Sequence, residues 1–247
     1  LRVEDPVTLD PRLLATTVAL RTIAEAITIA ATTVLEIEPS ELQAEFRPAL
    51  TEGGKLGLEA EVYLYDTLAG GAGFARAAGD RCDEILRVAL DRLEDCPGQC
   101  DRSCYRCLRS FRNRFEHHHL DRFLGASLLR YVLEGHEPVL SPERLDRSTD
   151  RLFEDLSRQG LQDVRLERRR QLSIPGSGDV VAPILATSGS RSLVVGIHGP
   201  LTPDFAADPM LRDAADFGVE VPILLIDEIL VSHHLPAASR QVIERVR

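Results

Sequence analysis

From Leu14 the apolar positions Val18, Ile23, Ile27 and Val34 recur at helical spacing, and Asp10 with Pro11 supplies a start signal, so a helix is expected over 13–35. Thr and Ala rather than charge fill its other face, which predicts a core helix buried on two sides. Pro39 ends the pattern, and 42–58 alternates poorly, with a turn at Gly53-Gly54. Val62-Tyr63-Leu64-Tyr65-Asp66 reads as a strand. It runs into the glycine-rich turn Gly70-Gly71-Ala72-Gly73, and a helix follows through Phe74, Ala77, Ile85, Leu86, Ala89, Leu90 and Leu93.

Further on, Leu108, Phe111 and Phe115 are spaced to share one face of a helix, with arginines on the other. A strongly apolar helix is expected through Leu120, Phe123, Leu124, Leu128, Leu129 and Val132, closing near Gly135. Residues 139–170 are charged and read as a helical connector packed on one side through Leu152, Phe153 and Leu156. Then the texture changes. Leu172–Ile174, Val180–Ala186, Leu193–His198 and Val221–Ile226 read as strands, with a helix around Met210–Phe217 and a last one from Pro236. The expected fold is mixed α/β: a helix-rich domain over 1–138, the connector, and a smaller α/β domain over 171–247.

Composition is ordinary for a globular chain, at 44% apolar and 28% charged residues, and it excludes wholesale disorder. The sequence shows no apolar run of the roughly 20 residues that a bilayer span needs, nor a signal peptide, so no membrane partner and a cytoplasmic place are expected. The sequence opens without methionine, like a piece of a longer chain. Net charge is −10, which argues against nucleic acid being coated by the whole surface. The distribution is uneven, however. Between Asp101 and Arg130 seven arginines face three acids.

Those arginines surround the densest chemistry in the chain. Cys96, Cys100, Cys104 and Cys107 are four of the five cysteines and fall within twelve residues, with Pro97-Gly98 letting the backbone curl. Disulfide frameworks belong to small secreted chains, so a metal is the better reading. Four soft ligands admit zinc or an iron–sulfur cluster. With no open coordination position, the site is expected to position chemistry rather than perform it. Arg102, Arg106, Arg109 and Arg112, beside aromatic residues, suit contacts to nucleic-acid phosphates; a solvated face pairing with acids is the competing reading. The triple His117-His118-His119 cannot converge on one ion, because successive helical residues point about 100° apart.

Gly70, Gly71 and Gly73, between a strand and a helix start, could present backbone N–H groups to a phosphate, or could simply turn the chain tightly. No Gly-Lys-Ser/Thr follows, so this is not the nucleotide loop of a motor.

Tyr65-Asp66-Thr67 with the glycine turn, then Ser103-Cys104-Tyr105-Arg106-Cys107-Leu108-Arg109-Ser110, then Asn113, a histidine and Leu120-Asp121-Arg122, together resemble the MrfA-like zinc-binding domain. That family, long catalogued as a domain of unknown function, occurs at the C-terminal end of superfamily 2 DNA helicases and in related phage-defence proteins. The resemblance spans roughly residues 13–135. It implies zinc on the four cysteines, DNA as a partner, and a helicase motor upstream in the same chain or in a partner subunit. The motor motifs are absent here, so no catalytic residue is assigned to this chain and any ATP-driven activity belongs to the parent protein or complex. A role in DNA repair or phage defence follows from the same resemblance. Two alternatives stand beside it: a protein–protein adaptor in a defence complex, and a helicase-fused nuclease. For the latter, the order of elements after residue 170 resembles a restriction-nuclease core with Asp179 as first carboxylate, but Gly196-Ile197-His198 stands where an acid and a lysine are needed.

Overall fold

The computed structural model describes residues 1–50, 56–174, 178–216 and 221–247. The chain forms two compact units, Leu1–Pro138 and Val139–Arg247. The Gly53-Gly54 turn and the loop 175–177 lie outside the described residues.

In the first unit the organising element is α1 (Leu14–Val34), on which α3 (Cys82–Glu94), α4 (Arg122–Glu134) and β1 (Leu42–Leu50) all pack. Fourteen of its 21 residues are buried, including Ala15, Ala19, Ala24, Ala26, Ala30 and Ala31. Small residues let three neighbours approach one helix closely, and its one charged pair, Arg21 with Glu25, meets Glu45 on β1. This helix is long and apolar enough to cross a membrane, but 72% of its most apolar window is buried inside the protein. The α4 crossing is tightest at Gly125, where a Cβ would lie 2.5 Å from Thr22 Cγ2. Thr22 cannot easily yield, since its Oγ1 accepts the buried Asp121 amide at 3.0 Å. Gly125→Ala is therefore expected to destabilise the protein by about 1–3 kcal/mol despite alanine's better helix propensity, as read by denaturant titration.

Two elements of this unit depart from the sequence pattern. Residues 42–50 form β1, the antiparallel partner of β2 (Leu56–Asp66), with Leu42 opposite Asp66 and Phe46 opposite Val62. The alternation there is real at buried Leu42 and Ala44, then is lost at Arg47 and Pro48. The expected helix through Leu108–Phe115 does not form: the segment is a series of turns, followed by a 3-10 turn at Arg114–His119. Phe111 and Phe115, placed on an apolar face by their spacing, are 75% and 74% exposed.

The second unit begins with α5 (Pro142–Arg158), started by Pro142 and the Ser141 cap. Its sheet runs β3 (Arg165–Ile174), β4 (Gly178–Ser188), β5 (Arg191–Gly199) and β6 (Thr202–Ala206) in antiparallel succession, with β7 (Ile223–Asp227) parallel to β5. Thus 139–170 is more than helix, since its end is the start of β3. On β5, Leu193, Val195 and Ile197 join α5 and α8 (Leu235–Val246) in one core, while Val194 faces α6 (Pro209–Asp216) and Leu211 in another. A central strand covered on both faces reads as a continuous apolar run. The short helix α7 (Glu228–His233) joins β7 to α8.

Candidate metal centre

The chain leaves α3 at Asp95 and turns back on itself twice. In the first turn Gln99 N donates to Cys96 O at 2.9 Å; in the second, Cys107 N donates to Cys104 O at 3.1 Å. Each turn also gives an amide to its leading sulfur two residues back: Gly98 N to Cys96 Sγ at 3.3 Å and Arg106 N to Cys104 Sγ at 3.4 Å. Gly98 is required by space, since a Cβ there would press on Cys104 Sγ at 3.1 Å. The two turns present four sulfurs to one point.

Cys96 and Cys104 Sγ lie 3.6 Å apart, Cys96 and Cys100 3.6 Å, Cys100 and Cys107 3.7 Å, and Cys104 and Cys107 3.8 Å. A tetrahedral zinc with bonds of about 2.3 Å demands edges of about 3.8 Å, so the donor set fits one ion. A disulfide needs sulfurs at about 2.0 Å, and none of the five cysteines is in one. An iron–sulfur cluster divides its four thiolates between two or four irons and sets those on different irons well beyond mutual contact, so four sulfurs gathered round one point favour zinc over that alternative. All four positions are filled by protein, which leaves the ion a structural role.

Electrostatics agree. In the metal-free protein burial pushes the Cys107 and Cys100 thiols up. Burial also opposes ionisation of Cys96, but amide donors and neighbouring thiols hold its pKa down to about 6. A cation relieves the cost of gathering these groups.

Arg122 ties this knuckle to the helices. Its guanidinium is buried and donates to Cys100 O at 2.9 Å, Leu93 O at 2.9 Å and Glu94 O at 2.8 Å, while its amide donates to Arg102 O at 2.7 Å. Asp121, fully buried, caps α4 through the amides of Phe123 and Leu124. Asn113 does the same for the outgoing loop. Its Oδ1 accepts from Ser110 N at 2.8 Å, and its Nδ2 donates to Leu108 O at 2.9 Å and to Glu25 Oε2 on α1 at 3.0 Å. His117 Nε2 faces two oxygens, Ser110 O and Asn113 Oδ1, and is therefore the protonated nitrogen. These brackets were invisible to spacing, although they occur among the residues that carried the family resemblance.

The four arginines singled out by sequence are not equivalent. Arg106 is exposed beside the sulfurs. Arg109 is half-buried, its Nε on Ser103 Oγ at 2.9 Å, and Arg112 is exposed with Nη1 on Pro39 O at 2.8 Å. Arg102 is half-buried, and its Nη1 has no hydrogen-bond partner among the described residues. Sequence reasoning missed Arg114, whose guanidinium lies 4.4 Å from the Phe111 ring centre and 4.3 Å from that of Phe115.

The glycine turn has another owner. Gly70, Gly71 and Gly73 all take positive φ, as tight turns demand, but the amides of Phe74 and Ala75 at the start of α2 (Phe74–Asp80) go to Asp66 Oδ1 at 2.9 and 3.3 Å. A carboxylate of the chain itself thus takes these two helix-start amides. In the second unit Asp179 stands in β4 opposite Ser173, its side chain outside the described residues. His198 is buried with Nδ1 on Gly199 O at 2.9 Å, in register with Asp227 on β7. Burial pushes the Asp227 carboxyl up, and His198 partly offsets this. Among the described residues the four cysteines are the group that could hold a metal.

Comparison with known proteins adds to this geometry. Residues 23–108 match the family described as the MrfA Zn-binding domain. Over 236 residues, 93% of the chain, it is 34% identical to the Druantia protein DruE of Escherichia coli (strain UMEA 4076-1), and it spans 12% of that protein's length. No solved structure matches it.

Proposed function

We propose that the chain, whose residues 23–108 match the MrfA zinc-binding domain family, is the zinc-stabilised, DNA-contacting part of a helicase-linked phage-defence protein. Similarity to a Druantia protein along nearly the whole chain supports the defence setting. In this reading the motor lies elsewhere, in the same polypeptide or in a partner subunit, and the complex works in the cytoplasm. The chain supplies grip rather than catalysis.

One observation carries the reading. From Arg102 to Phe115 there are five arginines and no acid, wrapped around a rigid four-thiolate knuckle, in a chain whose net charge is −10. Such local concentration against the overall sign is the electrostatic footprint of a polyanion site. In this reading zinc fixes the backbone that carries Arg106 and Arg112, both exposed, the latter with Nη1 on Pro39 O. Phosphate contacts of this kind are sequence-independent and weaken as salt displaces them.

The test is a salt titration of binding to a labelled oligonucleotide. The expected result is a log–log slope that falls by about 1 for each of Arg106→Ala and Arg112→Ala, with zinc content unchanged. A slope indifferent to salt and to both substitutions would refute phosphate contact. The overall charge favours a second reading, an adaptor surface for another protein, and capture of DNA by the chain alone separates the two.

A further inference from the structure

Phe111 and Phe115 are an anomaly of burial. Each exposes about three-quarters of its surface, and Tyr105, nearby in sequence and packed edge-on against His117 at 5.5 Å, exposes 70%. Aromatic residues make up 5% of the chain and it has no tryptophan, so three such rings within eleven residues is a concentrated apolar exposure. The rings also share a cation. Arg114 lies against both phenylalanines and anchors its own Nη1 on Phe111 O at 3.3 Å. A cation against two rings keeps them from collapsing onto each other, and each ring remains largely open to solvent.

We infer that Phe111, Arg114 and Phe115 form a stacking platform for the unpaired bases of single-stranded DNA. The inference rests on the DNA-contact reading above and adds the form of DNA. Charge selects a polyanion, since the rings sit in the acid-free stretch that carries Arg106, Arg109 and Arg112. The rings then select the strand state. A duplex hides the faces of its bases inside the stack, whereas a single strand offers a π-face at every nucleotide, whatever its sequence. The contact recorded for both rings is the Arg114 guanidinium, a cation that suits a polyanion beside the bases.

The test uses the zinc-loaded chain and three probes of equal length: oligothymidine, the corresponding duplex, and an abasic strand with the same backbone. Phe111→Ala with Phe115→Ala is expected to weaken oligothymidine binding by roughly 10- to 100-fold, the loss of one to two stacked bases. Duplex and abasic binding should stay as in the wild type, and Phe111→Trp with Phe115→Trp should restore the single-strand preference. Unchanged oligothymidine binding in the alanine variant, alongside weakened binding by Arg106→Ala, overturns the platform and leaves the DNA reading standing. Absence of DNA binding by the wild type removes both. Competition by polyglutamate as strong as that by oligothymidine overturns the platform in favour of an acidic protein partner. Should the alanine variant lose zinc or melt early, 2-aminopurine placed in the strand decides: quenching on the wild-type protein supports stacking, and undiminished fluorescence overturns it.

Discussion

Cys107→Ser is expected to release the stoichiometric zinc and to lower the stability of the first unit by about 3–5 kcal/mol. The residue is 2% exposed, and its sulfur touches Cys100 and Cys104 Sγ and accepts the Cys104 amide at 3.2 Å. A serine oxygen is a harder and shorter ligand, and it leaves three thiols crowded without a cation. Structural zinc contributes about 10–16 kcal/mol in finger peptides that have no other core. Here α1, α3 and α4 carry part of the load, so the loss is smaller. The same chemistry sets the pH response. Cys100 and Cys107 hold their protons in the metal-free protein, because burial pushes both thiols up, and binding must displace them. Lowering the pH therefore favours the metal-free form, and zinc should be released progressively on acidification. Elemental analysis with thermal melting, with and without a chelator, checks both. A variant that keeps one equivalent of zinc and the wild-type midpoint would show that the cysteines are not the ligands.

Arg122→Met should come close to this in effect, at about 3–4 kcal/mol. Methionine matches the aliphatic stem but leaves the carbonyls of Leu93, Glu94 and Cys100 without their donor. Each buried carbonyl stripped of a partner costs about 1–3 kcal/mol, less what water recovers. Two of these oxygens close α3 and the third belongs to a metal ligand, so the substitution should also loosen the knuckle. Loss of such an outer support typically weakens metal binding by about 10- to 100-fold. Chelator competition measures that fall, and denaturant titration the stability. Arg122→Lys should recover only part of either, since a single ammonium cannot span three carbonyls. A methionine variant within about 1 kcal/mol of wild type would mean that the helices hold the knuckle unaided.

Much of the scaffold was legible before any coordinates. The period of Leu14, Val18, Ile23 and Ile27 gave α1 to within a residue at either end, and the cysteine spacing gave the ligand set. Three strands of the second unit were legible for the same reason, since β4, β5 and β7 are apolar runs between turn residues, whereas the charged first half of β3 read as helix. What failed did so where side chains, not periodicity, decide the backbone. Residues 108–115 keep helical spacing, yet Asn113 spends its whole amide on Ser110, Leu108 and Glu25 and folds the segment into turns. That is why two phenylalanines that look like core stand in solvent. β6 was missed because five residues with one proline carry too little pattern. The different settings of the four arginines were illegible likewise, because a guanidinium bonded to a neighbouring carbonyl, as in Arg112, and one exposed beside the sulfurs, as in Arg106, are spelled with the same letter.

The span of sequence similarity and the span of physical self-sufficiency do not coincide in this unit. The family match starts at residue 23, midway along α1, and stops at residue 108, ahead of Arg122 and all of α4. A fragment cut to those limits would sever the central rod of the unit and discard the clasp on its metal loop. The piece that recombination or an engineer could transplant intact is the whole compact unit Leu1–Pro138, whose opening residues bury Val3, Val7 and Leu9 against it, roughly 1.6 times as long as the segment by which the domain is recognised.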